Sequence, residues 1–220
     1  MSRAEEPLTR VAEPRLTVPT RGGAASTIPG VRWGAVTRHA DERGSFREVW
    51  RDGWFPDLEA IAGHGARFRQ SNLSTSAAGV LRGLHFHRRQ LDFWVVADGV
   101  AWVALVDARP LLDGSGDRPI VETRELAADG TVAIPAGVAH GFLALQPLRL
   151  AYFVTAEYDG TDELGFAWDD PLAAIPWPAV PATPDGRPIL SGRDRANPSL
   201  AQLVERLRIG VSARHAPDRP

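Results

Sequence analysis

The chain has no cysteine, which excludes a disulfide framework and any thiolate chemistry. Lysine is absent as well: all 25 basic residues are arginine. No side-chain ammonium is therefore present to form a Schiff base, carry a proton or clamp an oxyanion. No apolar run approaches the ~20 residues that a membrane-spanning helix needs. Residues 1–19 alternate charges and prolines and lack the apolar stretch of a signal peptide. Neither charge sign is in excess. A formal net charge of −2 leaves no general footprint for nucleic acid. The expected location is the cytoplasm, with neither membrane nor nucleic acid as a partner.

What is present suits one domain with a well-buried core, at 220 residues. Residues 1–27, rich in Pro, Gly, Ala, Arg and Glu without sustained period, read as a disordered extension. Residues 28–209 form the domain, and residues 210–220 a flexible polar tail. Within the domain, short apolar segments alternate with turn residues. Residues 91–97 precede Asp98-Gly99, residues 131–134 precede Pro135-Ala136-Gly137, and residues 148–155 lead to Asp159-Gly160. Strands of this length, rich in Val, Trp, Phe and Tyr, predict an all-β sandwich or barrel. A short helix is expected over residues 57–62, stopped by Gly63. Residues 176–188 are proline-rich and predict an irregular crossing. Leu200, Leu203 and Leu207 have helical spacing and place a last helix over residues 200–209.

Three blocks hold most of the chemistry. The first is Gly79-Val80-Leu81-Arg82-Gly83-Leu84-His85-Phe86-His87, with Gln90, Asp92 and Gly99 after it. The second is Pro135-Ala136-Gly137-Val138-Ala139-His140. The third joins Tyr152 and Tyr158 to Trp168-Asp169-Asp170-Pro171, Trp177-Pro178 and Leu190-Ser191-Gly192-Arg193-Asp194. Each block alone has a plain explanation: a buried histidine bonded to a carbonyl, a Pro-x-Gly turn, a tyrosine filling the core. Their joint occurrence in one order is what carries information.

That order resembles the dTDP-4-dehydrorhamnose 3,5-epimerase family, over about residues 28–203. Val80-Leu81-Arg82-Gly83-Leu84-His85 is similar to the family's most specific motif. Arg43-Gly44-Ser45-Phe46-Arg47-Glu48 and Gln70-Ser71-Asn72-Leu73 resemble two further segments. The resemblance implies an all-β cupin-type double-stranded β-helix (a jelly roll) with short peripheral helices. It implies an isomerase that epimerises a dTDP-4-keto-6-deoxy sugar at C3, C5 or both, in deoxysugar biosynthesis, without a cofactor. His85 would be the base, oriented by Asp194, and Tyr152 the acid on the opposite face. Arg82, Gln70, Asn72, His140 and Tyr158 would line the sugar and diphosphate. Arg43 and Glu48 would reach the nucleotide across a homodimer interface. These residue types suit the task. A C–H beside a ketone ionises through its enolate, imidazole is a base with a pKa near 6.5, and arginine binds phosphate bidentately.

Two positions depart from the family. Asp92 stands where a lysine normally helps hold charge on the ketone oxygen, and His87 replaces a glutamine. A carboxylate at the lysine's position acts in the wrong direction for oxyanion stabilisation. Together the changes give His85-x-His87-x4-Asp92-x6-Gly99 and Pro135-x-Gly137-x2-His140, which resembles the metal-binding cupin pattern. His85, His87, Asp92 and His140 are thus an alternative site for a divalent transition metal such as Zn, Fe, Ni or Mn. A plain hydrogen bond between His87 and Asp92 is the other reading. His85 and His87, two apart, share one strand face. Arg82 joins them only if Gly83 marks a bulge. Three functions stay open: the epimerase, a metal-dependent cupin enzyme with another substrate, and a non-catalytic nucleotide-sugar binding protein.

Overall fold

Strict alternation of inward and outward side chains builds most of the fold. The computed structural model describes residues 25–212 apart from 181, 182 and 184. An N-terminal strand β1 (Arg32–Ala35) is followed by an exposed hairpin of β2 (His39–Asp41) and β3 (Gly44–Phe46). After helix α1 (Leu58–Ala62) come β4 (Gln70–Ser76), β5 (Leu81–Phe86), β6 (Asp92–Asp98) and β7 (Val100–Asp107). Helix α2 (Arg109–Asp113) leads into β8 (Ile120–Ala127), β9 (Gly130–Ile134), β10 (Val138–Ala144) and β11 (Leu148–Val154). A two-residue β12 (Leu164–Gly165), a short α3 (Gly192–Arg195) and α4 (Leu200–Ser212) complete the chain.

The strands form two facing antiparallel sheets, ordered β1-β9-β6-β11-β4 and β12-β5-β10-β7-β8. This is the expected jelly roll. On β6, Phe93 and Val95 point outward to a cluster with Phe55 and Leu58, while Trp94 and Val96 point between the sheets. On β7, Val103 and Leu105 face inward, while Ala104 and Val106 pack outward against Leu200 and Leu203 of α4. Central strand β10 is covered on both sides and reads as a continuous buried run. Edge strand β4 is solvated on one face and alternates.

The expected helix over residues 57–62 is α1, ended by Gly63 at φ +94 and ψ 160, an extended positive-φ conformation open to glycine. The last helix runs to Ser212, three residues beyond the expected 209. Order also begins earlier than composition suggests: Ser26 Oγ and Thr27 N donate to Glu122, at 2.5 and 3.0 Å. The rest of the expected N-terminal extension, residues 1–24, and residues 213–220 lie outside the described residues.

Candidate active site

One end of the space between the sheets is polar and holds a cavity of about 440 Å³. Strand register explains its lining. On the first sheet, Val154 stands between Gln70 and Asp92, and Tyr152 between Asn72 and Trp94. All of these side chains line the cavity. The second sheet contributes Arg82, His85 and His140, with His87 just beyond β5.

Arg82 and His85 share this face because β5 bulges. His140 pairs with His85 and Phe142 with Arg82, so β5 carries one more residue than β10 between these pairs. Gly83 sits at the irregularity with φ +127, and a Cβ there would lie 2.7 Å from Gly141 Cα. No larger residue fits. The bulge is what turns Arg82 inward. Its guanidinium is anchored by Ser76 Oγ at 3.0 Å and the Thr75 carbonyl at 3.1 Å.

His85 Nε2 lies 3.1 Å from Asp194 Oδ1. A carboxylate can only accept, so Nε2 carries the hydrogen and Nδ1 keeps a lone pair. Asp194 is buried behind the ring, and Ser191, the N-cap of α3, donates to its other oxygen at 2.9 Å. Burial pushes the Asp194 carboxyl up, but the bond from His85, the charges of His85 and Arg193, and Ser191 outweigh it and hold it below the usual range. The pair is an imidazole oriented by an ionised carboxylate. Across the cavity, on the other sheet, burial and the nearby Asp92 and Glu163 charges raise the Tyr152 phenol against the pull of Arg82. A raised phenol stays protonated and is ready to donate.

His87, Asp92 and His140 form a second group, all buried. One donor atom from each lies within 4.8 Å of the others. His87 Nδ1 donates to the Asp162 carbonyl at 2.8 Å and His140 Nδ1 to the Val138 carbonyl at 3.1 Å. Their Nε2 atoms face Asp92 Oδ2 at 3.8 and 4.0 Å. These separations are too long for the plain His87–Asp92 hydrogen bond. Burial pushes the His140 imidazole down to about 4, despite the Asp92 charge, and its histidine neighbours add to the fall. The four-residue metal set of the sequence is therefore divided. All four side chains line one cavity, with the His85 and His140 rings 6.5 Å apart, but His85 is held by Asp194.

Gln70 accepts from the backbone N–H of Tyr158 at 2.9 Å, which ties the Tyr158 loop to the cavity rim. Arg43 and Glu48 lie outside the cavity: Arg43 pairs with Asp41 on the exposed hairpin, and Glu48 with Arg51. Three contributors carried no role in the sequence. Trp94 stands edge-to-face with His140 at 5.2 Å, Glu163 pairs with Arg193 at the cavity wall, and Ser191 holds Asp194. Trp94 was legible in principle, two residues from Asp92 on one strand face. The other two depend on the chain's return through α3.

Comparison with known proteins agrees with the geometry. The family model for dTDP-4-dehydrorhamnose 3,5-epimerase matches residues 25–202. The dTDP-4-dehydrorhamnose 3,5-epimerase of Mycobacterium tuberculosis is 37% identical over 184 residues, 80% of this chain and 86% of the relative. NovW, a 4-keto-6-deoxy sugar epimerase of Streptomyces spheroides, superposes with a TM-score of 0.68 at 31% identity, covering 84% and 89%. The Legionella pneumophila dTDP-6-deoxy-D-glucose-3,5-epimerase, solved with dTDP-4-keto-L-rhamnose, gives 0.69 at 29% identity, covering 83% and 94%.

Proposed function

The chain belongs to the dTDP-4-dehydrorhamnose 3,5-epimerase family, and we propose that it epimerises a dTDP-4-keto-6-deoxy sugar in deoxysugar biosynthesis. The observation that carries the reading is the His85–Asp194 pair facing Tyr152 across one cavity, each on a different sheet. His85 Nδ1 removes the proton on a carbon beside the C4 ketone. The C–H electron pair moves into the ring, and the carbonyl π pair onto oxygen, as an enolate. Asp194 stabilises the imidazolium so formed. Tyr152 returns a proton from the opposite face, which inverts the carbon. Protons move and no net oxidation occurs, so the reaction requires no redox or organic cofactor.

Gln70, Asn72, His140 and Tyr158 surround the sugar, and Arg82 meets the diphosphate, where a fixed fork of donors matches phosphate oxygens. Arg43 and Glu48 act at the nucleotide of a second subunit in a homodimer. The support is that β2 and β3 are wholly exposed and end in Phe46, 66% exposed, an apolar side chain suited to burial against a partner. A cytoplasmic location follows from a soluble nucleotide-sugar substrate.

The test is turnover of dTDP-4-keto-6-deoxyglucose followed by proton NMR. New sugar resonances with inverted C3 or C5 couplings are expected. Binding of dTDP with no inverted product would return the chain to the class of nucleotide-sugar binding proteins. For the dimer, sedimentation at micromolar concentration is expected to show twice the chain mass, and a stable monomer would contradict it.

A further inference from the structure

We propose that His87, Asp92 and His140 bind one divalent first-row transition metal ion at the inner wall of the cavity. Three electron-pair donors converge there: one ring nitrogen from each histidine and one carboxylate oxygen, all within 4.8 Å of one another, with both Nε2 atoms turned toward Asp92 Oδ2. Each is oriented by a further bond. The Asp162 and Val138 carbonyls take the two Nδ1 hydrogens, at 2.8 and 3.1 Å, so both Nε2 atoms are left as acceptors. Gln90 Nε2 donates to Asp92 Oδ2 at 3.0 Å and uses one lone pair of that oxygen. Such outer bonds are what fix imidazole tautomer and carboxylate direction in metal centres.

Without a cation the arrangement is costly. Three buried acceptors face one point, and a single water has two hydrogens to offer them. An imidazolium would need a carboxylate at hydrogen-bond distance, whereas the two separations are 3.8 and 4.0 Å. Donors that share one ion, with bonds of about 2.1 Å, stand at most about 4.2 Å apart; both nitrogen–carboxylate separations lie inside that limit, and a spread of 4.8 Å over the triad needs a closing shift of about 0.6 Å at most. Two imidazoles and a carboxylate suit zinc, iron(II), cobalt or manganese, with further coordination positions open to the cavity. His85 is outside the set: the converging donor atoms belong to His87, Asp92 and His140 alone, and with Nε2 of His85 held by Asp194 at 3.1 Å its Nδ1 is the base.

The ion has a task that rests on the epimerase reading. Proton removal leaves negative charge on the ketone oxygen, and the chain has no lysine to meet it. An open coordination position in the same cavity as His85 would accept that oxygen and hold the enolate charge as a Lewis acid. The ion keeps its oxidation state throughout.

The full chain, stripped by chelator, would be titrated with Zn²⁺ and with Co²⁺ by calorimetry and visible absorption, without substrate. One ion per chain is expected. Asp92→Asn and His87→Gln should each weaken binding by about 100-fold or more, and His85→Asn by less than about 3-fold. Circular dichroism checks that each variant is folded. Absence of binding to the wild-type chain, or binding untouched by both ligand variants, overturns the site. Deuterium exchange into the keto-sugar would then be compared in stripped and loaded enzyme, with a rise of about 10-fold or more expected on loading. Equal exchange in both overturns the Lewis-acid role and leaves the epimerase reading intact. Binding without exchange in either form overturns that reading and leaves the site standing.

Discussion

Replacing Asp194 by asparagine would isolate what the carboxylate does for His85. The substitution is nearly isosteric but exchanges one acceptor oxygen for an N–H donor. Ser191 Oγ donates to Asp194 Oδ2 at 2.9 Å and itself accepts the backbone N–H of Asp194 at 3.0 Å. The amide of Asp194→Asn will therefore present its oxygen to the Ser191 hydroxyl and its nitrogen to His85. That forces Nε2 of His85 to accept and moves the ring hydrogen to Nδ1, the atom that must take the sugar proton. Losing a general base costs about 10²–10⁴-fold, and tautomer inversion in a comparable His–Asp pair costs about 10⁴-fold. The His85 side chain is 29% exposed, so water can restore part of the useful tautomer. A fall of about 10³-fold in exchange is expected, with dTDP affinity changed by less than about 3-fold. Nitrogen-15 NMR of the histidine ring reads the tautomer directly. A tautomer switch accompanied by near-normal exchange would refute the reasoning.

Tyr152→Phe keeps the ring but removes the returning proton. Deuterium should still enter the sugar with retention, while inverted product falls about 10²-fold; loss of both together would mean the phenol acts elsewhere. Gly83→Ala would set a Cβ 2.7 Å from Gly141 Cα and 2.9 Å from the His140 carbonyl oxygen, at φ +127. Denaturant unfolding should show a loss of about 1–3 kcal/mol, and wild-type stability would mean the bulge is not fixed by this glycine. Glu122 bears on pH: burial pushes its carboxyl up, but bonds from Ser26, Thr27 and Arg124 hold it below the usual range. A lowered folded value gives stability that is present above about pH 4.3, the ordinary glutamate value, and lost as pH falls through the folded value. The stability gap between wild type and Glu122→Gln should therefore shrink on acidification below that point; a gap that widens there reverses the sign.

Much of the fold was legible because a strand's period of two is short and local. β6, β9 and β11 begin and end within one residue of the segments expected from turn residues. The bulge was legible only as a condition, since Gly83 in a strand permits one, but the approach of Gly141 requires it. What sequence could not supply is long-range pairing. Ser26 and Glu122 are 96 residues apart, so the tether that orders residues 26 and 27 left no local signal. The His85–Asp194 pair, 109 residues apart, left no local signal either and was expected only through the resemblance to the family. Charge at position 92 was readable as a departure from the family, yet its consequence depended on where two imidazole nitrogens point.

The most direct test is a single-turnover experiment in deuterium oxide, with dTDP-4-keto-6-deoxyglucose and excess enzyme, read by NMR at C3 and C5. Wild-type enzyme is predicted to place solvent deuterium on at least one of these carbons with inversion. His85→Asn should still bind dTDP but exchange about 10²–10⁴-fold more slowly. Wild-type enzyme that leaves both carbons fully protonated in stripped and metal-loaded form, or His85→Asn that exchanges at the wild-type rate, would contradict proton transfer at this site.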